Sequence, residues 1–335
     1  MGSVADVNGI KLGHAGDGKG VTGLSVVLCE GGATGSVVVL GGAPGTRETD
    51  LMQPSFTVGK VHSVFISGGS AFGLNAAEGI VRYLEEKGIG FDTQVAKVPI
   101  VAGAVIFDLG IGDSKSRPTP EMAYRACLDA GRPDPGSGNV GAGIGATVGK
   151  LMGPHYMMKS GLGNSALNLS SGFTVGCVAA VNAAGDVYDP GTGRQLAGAY
   201  DRRNRKFLGP FHKTSGILAP GCDLIGRNTT IGVVATDAGL TKEECRRVAV
   251  MATGGLARVI RPSFTPFDGD TVFVLSTGKV HAPENSAAFG EFRASLVFQI
   301  GVAAQEAVAA AVLDAVTSSK GLCGIPAKAD IQLKE

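Results

Sequence analysis

The order of apolar and polar positions along the chain predicts alternating strands and helices. Six apolar runs, rich in β-branched residues and bounded by glycine, are typical of strands, and they cover residues 22–29, 34–40, 98–107, 173–181, 229–236 and 271–276. Helical spacing and capping residues predict helices over 71–86, after Thr119-Pro120, from Thr241 to about Arg258, and over 291–317. Strands interleaved with helices predict a layered α/β fold with both sheet faces covered.

One stretch, residues 188–224, breaks this pattern. Charged residues, prolines and glycines concentrate there and apolar periodicity fades, which predicts a linker or mobile loop. It ends just before Arg227-Asn228-Thr229. The sequence has no repeat period and no low-complexity segment, so residues 1–335 are predicted to form a single domain.

Composition narrows the possible function classes. Hydrophobic residues make up 44% of the 335 residues and charged residues 18%, which allows a large core and excludes intrinsic disorder. The formal net charge is +1, so nothing favours a nucleic acid or an anionic membrane as a partner. The 53 glycines have no three-residue period, which excludes collagen and indicates tight turns and close backbone packing.

Targeting signals and cysteine usage favour a cytoplasmic protein. The first ten residues lack a basic segment followed by an apolar one, so no signal peptide is predicted. The longest apolar segment, 300–316, contains Gln305 and Glu306 and is predicted to be a buried helix and not a membrane span. The six cysteines form no C-x-x-C pair and are expected to be small buried residues in a reducing compartment.

Several common motifs are approached but not met. A P-loop ending at Lys150 would need glycine at position 144 and a hydroxyl residue at position 151, and the chain has neither. The string at 136–141 fits G-x-G-x-x-G but follows a proline-rich turn where a strand is required. Ser70 suggests a nucleophile elbow, but Phe72 occupies the second glycine position, so Ser70 is predicted to be a helix N-cap. The five histidines show no ligand spacing, so no zinc site is expected.

The junction between Asn228 and Thr229 allows two interpretations. It is a turn residue followed by an ordinary strand, or it is a self-cleaving peptide bond. In the second case Thr229 Oγ attacks the Asn228 carbonyl, the acyl group moves from nitrogen to oxygen, and water hydrolyses the ester. Thr229 would then carry a hydroxyl nucleophile and a free α-amine, whose unperturbed pKa of ~7.7–8.0 suits proton transfer near neutral pH.

Seven ordered segments of the chain decide between these interpretations. They are residues 41–52 (GGAPGTRETDLM), 68–79 (GGSAFGLNAAEG), 98–113 (VPIVAGAVIFDLGIGD), 138–150 (GNVGAGIGATVGK), 178–187 (VAAVNAAGDV), 227–240 (RNTTIGVVATDAGL) and 267–273 (FDGDTVF). The chain resembles the DmpA/NylC group of N-terminal-nucleophile hydrolases, from about Gly9 to beyond Phe273. That group includes nylon-oligomer (6-aminohexanoate-oligomer) hydrolase, L-aminopeptidase/D-esterase and β-peptidyl aminopeptidase enzymes. The resemblance favours self-cleavage.

The resemblance implies a role for each matching residue. Thr229 matches the nucleophile and Asn228 the residue before the cut, while Lys150 and Asn182 match the catalytic lysine and asparagine. The group's acidic pair, in the nylon-oligomer branch, matches Asp268 and Asp270. It also implies an αββα-type sandwich similar to ornithine acetyltransferase, cleaved into an α subunit, 1–228, and a β subunit, 229–335. These αβ units are expected to assemble into a tetramer, and neither a metal nor an organic cofactor is expected.

Each implied role has a physical reason. Lys150 ends a Gly/Ala/Val run, so burial would lower its pKa toward a catalytically useful value. An amide N–H of Asn182 can stabilise an oxyanion, and one such donor is typically worth ~10²–10³ in rate. The Asp268-Gly269-Asp270 segment is either a hairpin turn or extended, and extended backbone would place both carboxylates on one face, ~6.6–7 Å apart. One of them could then hold the ammonium or hydroxyl of Thr229.

The sequence determines the substrate less closely than it determines the type of reaction. A threonine nucleophile favours the nylon-oligomer branch, since the aminopeptidase branch uses serine, but Phe107 stands where nylon-oligomer hydrolase has tyrosine. Phe107 and Ser70 are the candidate substrate-binding residues. The expected substrate is a linear amide oligomer of the 6-aminohexanoate type. The alternatives are peptides with D- or β-amino-acid N-termini, acyl transfer to an amine, and a non-catalytic binding or scaffold protein.

Overall fold

The structure is a computed structural model that describes residues 2–210, 227–280 and 289–333, and the side chains of the last range from 293 onward. Its strands are β1 (Lys11–Asp17), β2 (Thr22–Val39), β3 (Thr46–Arg47), β4 (Val61–Ser67), β5 (Phe91–Asp92), β6 (Lys97–Val98), β7 (Val101–Val105), β8 (Thr147–Val148), β9 (Met158–Lys159), β10 (Leu162–Asn168), β11 (Thr174–Asn182), β12 (Asp186–Tyr188), β13 (Gln195–Ala197), β14 (Tyr200–Asp201), β15 (Lys206–Phe207), β16 (Thr229–Ala238), β17 (Ile260–Arg261) and β18 (Thr271–Val280). Its helices are α1 (Ala77–Glu86), α2 (Pro120–Asp129), α3 (Lys242–Val259) and α4 (Phe289–Thr317). Each of the six predicted strand regions contains a strand, but 22–29 and 34–40 belong to the single strand β2, and 98–107 contains the end of β6 and all of β7.

Strand β2 belongs to two sheet regions. Its first part pairs with β1 and β4, and its second part pairs with β18, with a register shift between Leu28 and Ala33. The predicted strands 22–29 and 34–40 are thus one long strand with an irregularity where two were expected. The strand order β10-β11-β16-β18-β2-β4-β7-β3 follows, and β16 and β18 run parallel to each other.

Three apolar cores separate the layers. Leu24, Val26 and Phe65 pack against α1 and α2 on one outer face, while Val175, Val234 and Val274 pack against α3 and α4 on the other. Between them lies a core that joins both halves of the sheet and contains Val64, Ile66, Val178, Ile231, Val233 and Phe273. The order helices, sheet, sheet, helices is the predicted αββα sandwich.

Helix starts follow the predicted caps in two cases of three. Thr119 Oγ1 accepts a hydrogen bond from the backbone N–H of Met122 (3.2 Å), and Thr241 and Glu244 form a capping box at the start of α3. The prediction for Ser70 was wrong. A 3₁₀ segment begins at Ser70, which has a φ of +53°, and its N-cap is Gly69 at +80°. A positive φ costs little at Gly69 because glycine has no Cβ, but it is strained at Ser70. Tertiary contacts therefore hold this turn in place.

Two further expectations are corrected in part. The stretch 188–224, predicted as a linker, carries the short strands β13 to β15 and the buried Tyr200, and its remainder from 211 onward lies outside the described residues. Cys29, Cys127, Cys177 and Cys245 are buried as expected, whereas Cys323 is exposed and Cys222 is outside the described residues.

Helix α4 contains the longest apolar segment of the described residues. The segment Arg293–Thr317 is long and apolar enough to cross a membrane, but 56% of its most apolar part is buried against the fold.

Candidate active site

The peptide bond between Asn228 and Thr229 lies at the start of a central strand. Thr229 is the first residue of β16, where it pairs directly with Asn182 at the end of β11. On the other side Asn228 forms a parallel bridge with Asp268, which leads into β18. Asn228 is fully buried and Thr229 is only 4% exposed. The folding of the sheet thus brings residues from distant parts of the sequence to this bond.

The carbonyl oxygen of Asn228 receives two hydrogen bonds. The hydroxyl of Thr229 donates to it, and the backbone N–H of Gly269 donates to it at 2.8 Å. A Cβ built on Gly269 would lie 2.8 Å from Thr229 Oγ1, so only glycine allows this approach without displacement. The hydroxyl that the sequence predicts as the nucleophile and a donor that polarises the carbonyl therefore meet at the same peptide unit.

The side-chain amide of Asn182 lies between hydrogen-bond donors, which surround its oxygen, and carbonyl acceptors, which surround its nitrogen. Its Oδ1 accepts from the N–H of Thr147 (3.1 Å) and from Nζ of Lys150 (2.8 Å). Its Nδ2 donates to the carbonyl oxygens of Phe107 (3.0 Å) and Arg227 (3.3 Å). This set of partners fits one of the two amide orientations, because the other would place N–H groups opposite N–H groups. Asn182 thereby binds the carbonyl one residue before the bond in question.

The ammonium group of Lys150 is surrounded by protein. Nζ also donates to the carbonyl oxygen of Asn182 (2.8 Å) and to that of Arg227 (3.2 Å). Burial lowers the pKa of Lys150 from 10.5 to about 7, and the charges of Asp268 and Asp108 partly offset this effect. A substantial fraction of Lys150 is therefore neutral near pH 7 and able to accept a proton.

The acidic pair supports the backbone around Thr229. Asp270 accepts hydrogen bonds from the N–H of Thr230 (2.6 Å) and of Phe264 (2.9 Å), while Asp268 accepts from the N–H groups of Thr265 (3.1 Å) and Ala184 (3.4 Å). The segment is extended, so the hairpin-turn alternative was wrong. Burial and then the neighbouring charge of Asp268 raise the pKa of Asp270. In the uncleaved chain the Thr229 hydroxyl is directed at the Asn228 carbonyl and not at either carboxylate.

The two candidate substrate-binding residues follow neighbouring strands, Phe107 after β7 and Ser70 after β4. The carbonyl of Phe107 binds Asn182, and its ring lies 5.8 Å from the guanidinium carbon of Arg227. The N–H of Ser70 donates to Ile106 (3.0 Å), which places Ser70 beside Phe107. The sequence analysis missed Gly269 and Thr147, which act through backbone N–H groups. The glycine between two acidic residues was a usable signal for the first.

Comparisons with known proteins show the family to which the chain belongs. Residues 2–328 match the family described as Peptidase family S58. The chain is 44% identical to an uncharacterized aminopeptidase of Mycobacterium tuberculosis, covering 99% of this chain and 98% of that protein. It is 27% identical to a 6-aminohexanoate-oligomer endohydrolase of an Agromyces species, covering 92% of this chain and 84% of that protein.

Solved structures show the same fold at low sequence identity. The L-aminopeptidase D-Ala-esterase/amidase from Ochrobactrum anthropi, described as a variant of the Ntn-hydrolase fold, matches with a TM-score of 0.69 at 16% identity and covers 97% of this chain and 90% of its own. A Burkholderia β-aminopeptidase matches with a TM-score of 0.66 at 19% identity, covering 98% and 91%. The chain therefore belongs to Peptidase family S58, the DmpA/NylC family of hydrolases.

Proposed function

We propose that the protein cleaves its own chain between Asn228 and Thr229 and then acts as an N-terminal threonine amidohydrolase. The observation that carries this proposal is the contact of the Thr229 hydroxyl and the Gly269 N–H with one carbonyl oxygen, that of Asn228. Cleavage would divide the single domain into 1–228 and 229–335. Assembly of the αβ units into a tetramer and a cytoplasmic location remain predictions.

The self-cleavage step is an acyl shift followed by hydrolysis. Thr229 Oγ attacks the Asn228 carbonyl carbon, and its proton passes to Lys150 in its neutral form. The carbon–nitrogen bond breaks, the nitrogen is protonated to become the α-amine of Thr229, and an ester remains. Water then attacks the ester, which leaves a carboxylate on Asn228 and restores the hydroxyl. The Gly269 N–H, 2.8 Å from the carbonyl oxygen, stabilises the oxyanion formed in both attacks.

Substrate turnover repeats this chemistry between molecules. The Arg227 and Asn228 carbonyls occupy the donors of Asn182 and Gly269 in the uncleaved chain, so their departure frees both donors for a substrate amide. The α-amine of Thr229, with an unperturbed pKa of ~7.7–8.0, accepts the hydroxyl proton. The substrate acyl group is transferred to Thr229, the amine product leaves, and water hydrolyses the ester.

We propose linear, unbranched amides as substrates, with oligomers of the 6-aminohexanoate type as the first candidate. The threonine nucleophile and the likeness to the Agromyces endohydrolase support it. Aminopeptidase activity, on peptides with D- or β-amino-acid N-termini, is the second candidate. It is favoured by the higher identity, 44%, to a protein named an aminopeptidase.

Denaturing mass spectrometry of the purified protein tests self-cleavage. Two masses that divide the chain between Asn228 and Thr229 are expected for the wild type and, at a reduced rate, for Thr229→Ser, which keeps a hydroxyl. Thr229→Val, which keeps the shape but lacks the hydroxyl, should remain a single chain without amidase activity. A wild-type chain that stays uncut, or a cleaved Thr229→Val, would overturn the proposal.

Product analysis distinguishes the substrates. The cleaved enzyme is incubated separately with a linear 6-aminohexanoate oligomer, a β-alanyl dipeptide and D-alanyl amide. Internal fragments of the oligomer support the first candidate, and release of single N-terminal residues from the peptides supports the second. Adding an amine acceptor reveals acyl transfer if a transfer product replaces the hydrolysis product.

A further inference from the structure

A second buried lysine lies directly behind the active site and has no part in the chemistry described above. Lys159, at the end of β9, is fully buried, and its Nζ donates to three backbone carbonyls, those of Gly143 and Ala146 (2.9 Å each) and that of Ser160. Three acceptors match the three donors of an ammonium group. The described residues place no carboxylate within salt-bridge distance of it. Such a costly arrangement calls for a reason beyond packing.

One of these carbonyls belongs to the peptide unit that binds Asn182. The carbonyl of Ala146 accepts from Lys159, and the N–H of the same peptide unit, that of Thr147, donates to Asn182 Oδ1 at 3.1 Å. A peptide unit is planar, so fixing the direction of its carbonyl also fixes the direction of its N–H. An N–H donor at the carbonyl also polarises the unit and strengthens the bond that its N–H donates.

The bond from Thr147 helps to decide which end of the Asn182 amide faces the carbonyls of Phe107 and Arg227. With Oδ1 held by Thr147 and Lys150, Nδ2 is directed at the carbonyls of Phe107 and Arg227. A reversed amide would present oxygen to those carbonyls and would stabilise no oxyanion. The orientation of the Asn182 amide therefore depends on the donors that bind its oxygen, which are Thr147 and Lys150.

We propose that Lys159 is a positioning residue of the active site, which holds the Ala146–Thr147 peptide unit so that Asn182 directs its N–H groups at the carbonyl side of the site. Lys159 acts through Asn182 and does not touch the substrate. This inference rests on the proposed amidase function, because it assigns Asn182 a role in acyl transfer. It predicts that removing the Lys159 amino group lowers kcat for amide hydrolysis, with little change in KM.

A matched lysine controls for the loss of three hydrogen bonds. Lys242, at the start of α3, donates to the carbonyls of Leu51 (2.9 Å), Phe56 (2.8 Å) and Val58 (3.1 Å), none of which belongs to the site. Lys159→Met and Lys242→Met each remove one ammonium and three backbone hydrogen bonds. Only the first is expected to reduce kcat, by about 10- to 10²-fold, up to the worth of one oxyanion donor. Thermal unfolding and near-UV circular dichroism establish that both variants are folded.

A double-mutant cycle separates positioning from a general structural effect. If Lys159 acts through Asn182, then Lys159→Met should add less than about threefold to the loss already caused by Asn182→Ala. Multiplicative losses in the double variant, or a Lys159→Met enzyme with wild-type kcat, would overturn the proposal. If Lys159→Met does not fold, Lys159→Gln, which keeps an N–H donor group, enters the same cycle and is judged by the same criterion. A wild-type protein without cleavage or amidase activity would instead overturn the proposed function, and this is seen before any variant is compared.

Discussion

At the scale of single residues, Gly269 is as important to the proposed self-cleavage as Thr229. The N–H of Gly269 donates to the Asn228 carbonyl at 2.8 Å, and this contact depends on the missing side chain as much as on the backbone. In the proposed mechanism Thr229 supplies the attacking oxygen, and an attack on an unpolarised amide carbonyl would be slow. The geometry of this one peptide unit therefore depends on two residues forty positions apart.

Gly269→Ala should slow self-cleavage by about 10²-fold, the worth of one displaced oxyanion donor. The new Cβ would lie 2.8 Å from Thr229 Oγ1 and 2.9 Å from the carbonyl oxygen of Ala43, so the nucleophile or the backbone has to move. Gly59→Ala is the control, since a Cβ there meets no atom within 4 Å. The rates are measured by gel electrophoresis of pulse-labelled protein, and equal rates for the two variants would contradict the assignment.

The pKa of Lys150 predicts how self-cleavage depends on pH. Burial lowers this pKa to about 7, so the neutral, proton-accepting form grows about tenfold per pH unit below 7 and saturates above it. The cleavage rate of newly synthesised protein should therefore rise between pH 5.5 and 7 and level off by pH 8. Lys150→Arg, which stays charged throughout this range, should be slow and should lack the rise. A wild-type rate that is flat across this range would exclude Lys150 as the base.

At the scale of elements, the site is built where three strands end together. The antiparallel pair β11 and β16 places Asn182 beside Thr229, and the parallel alignment of β16 with the segment leading into β18 places Gly269 there too. A glycine-containing turn after β2 binds the same segment: the N–H groups of Gly41 and Ala43 donate to the carbonyls of Asp270 (3.3 Å) and Asp268 (2.8 Å). This turn thus sets the position of the acidic pair and of the glycine between them.

Gly41→Ala tests this role of the turn. A Cβ on Gly41 would lie 2.3 Å from the carbonyl oxygen of Asp268 and 2.4 Å from the N–H nitrogen of Asp270, so the acidic segment would have to shift. We expect a loss of about 1–3 kcal/mol in unfolding free energy and a cleavage rate at least tenfold lower. Gly18→Ala, with open space around its Cβ, should change neither quantity. Unchanged cleavage in Gly41→Ala would mean that the turn does not position the site.

The sequence pointed to the side chains of the candidate site but not to the backbone N–H groups that contribute to it. Thr229, Lys150 and Asn182 were identified through motifs, and the structure brings these three together. Gly269 and Thr147 act through N–H groups that every residue but proline carries, so residue type alone does not reveal them. Ser70 was misassigned because its φ of +53° is imposed by contacts distant in sequence, such as its N–H bond to Ile106.

At the scale of the whole molecule, the αββα arrangement creates the low-polarity environment on which the site depends. The core between the two sheet halves and the core under α3 and α4 enclose the central strands from both sides. A layered α/β fold was predictable because strands and helices alternate along the chain, whereas the αββα layer order was implied only by the family resemblance. The irregularity in β2 lies at the break between the apolar runs 22–29 and 34–40, and this break predicted two strands where one strand continues from one half of the sheet to the other.

This enclosure has a consequence for global stability. Burial lowers the pKa of Lys159 to about 7, whereas in the unfolded chain it lies near 10.4. Between pH 7 and pH 9 the unfolded chain therefore holds a proton that the folded chain has released. The unfolding free energy contributed by this residue accordingly rises with pH across this range, by at most about 1.4 kcal/mol per unit, and levels off below about pH 7, where both states hold the proton.

Replacing Lys159 by methionine should remove this contribution and leave those of other titrating groups. Urea unfolding of wild type and Lys159→Met at pH 7, 8 and 9 gives two slopes of unfolding free energy against pH, and we expect the wild-type slope to be the steeper by up to about 1.4 kcal/mol per unit. Both chains carry Thr229→Val, so that neither is cleaved and unfolding involves one polypeptide. Parallel slopes would mean that Lys159 keeps its proton in the folded state up to pH 9, with the three carbonyls outweighing the cost of burial.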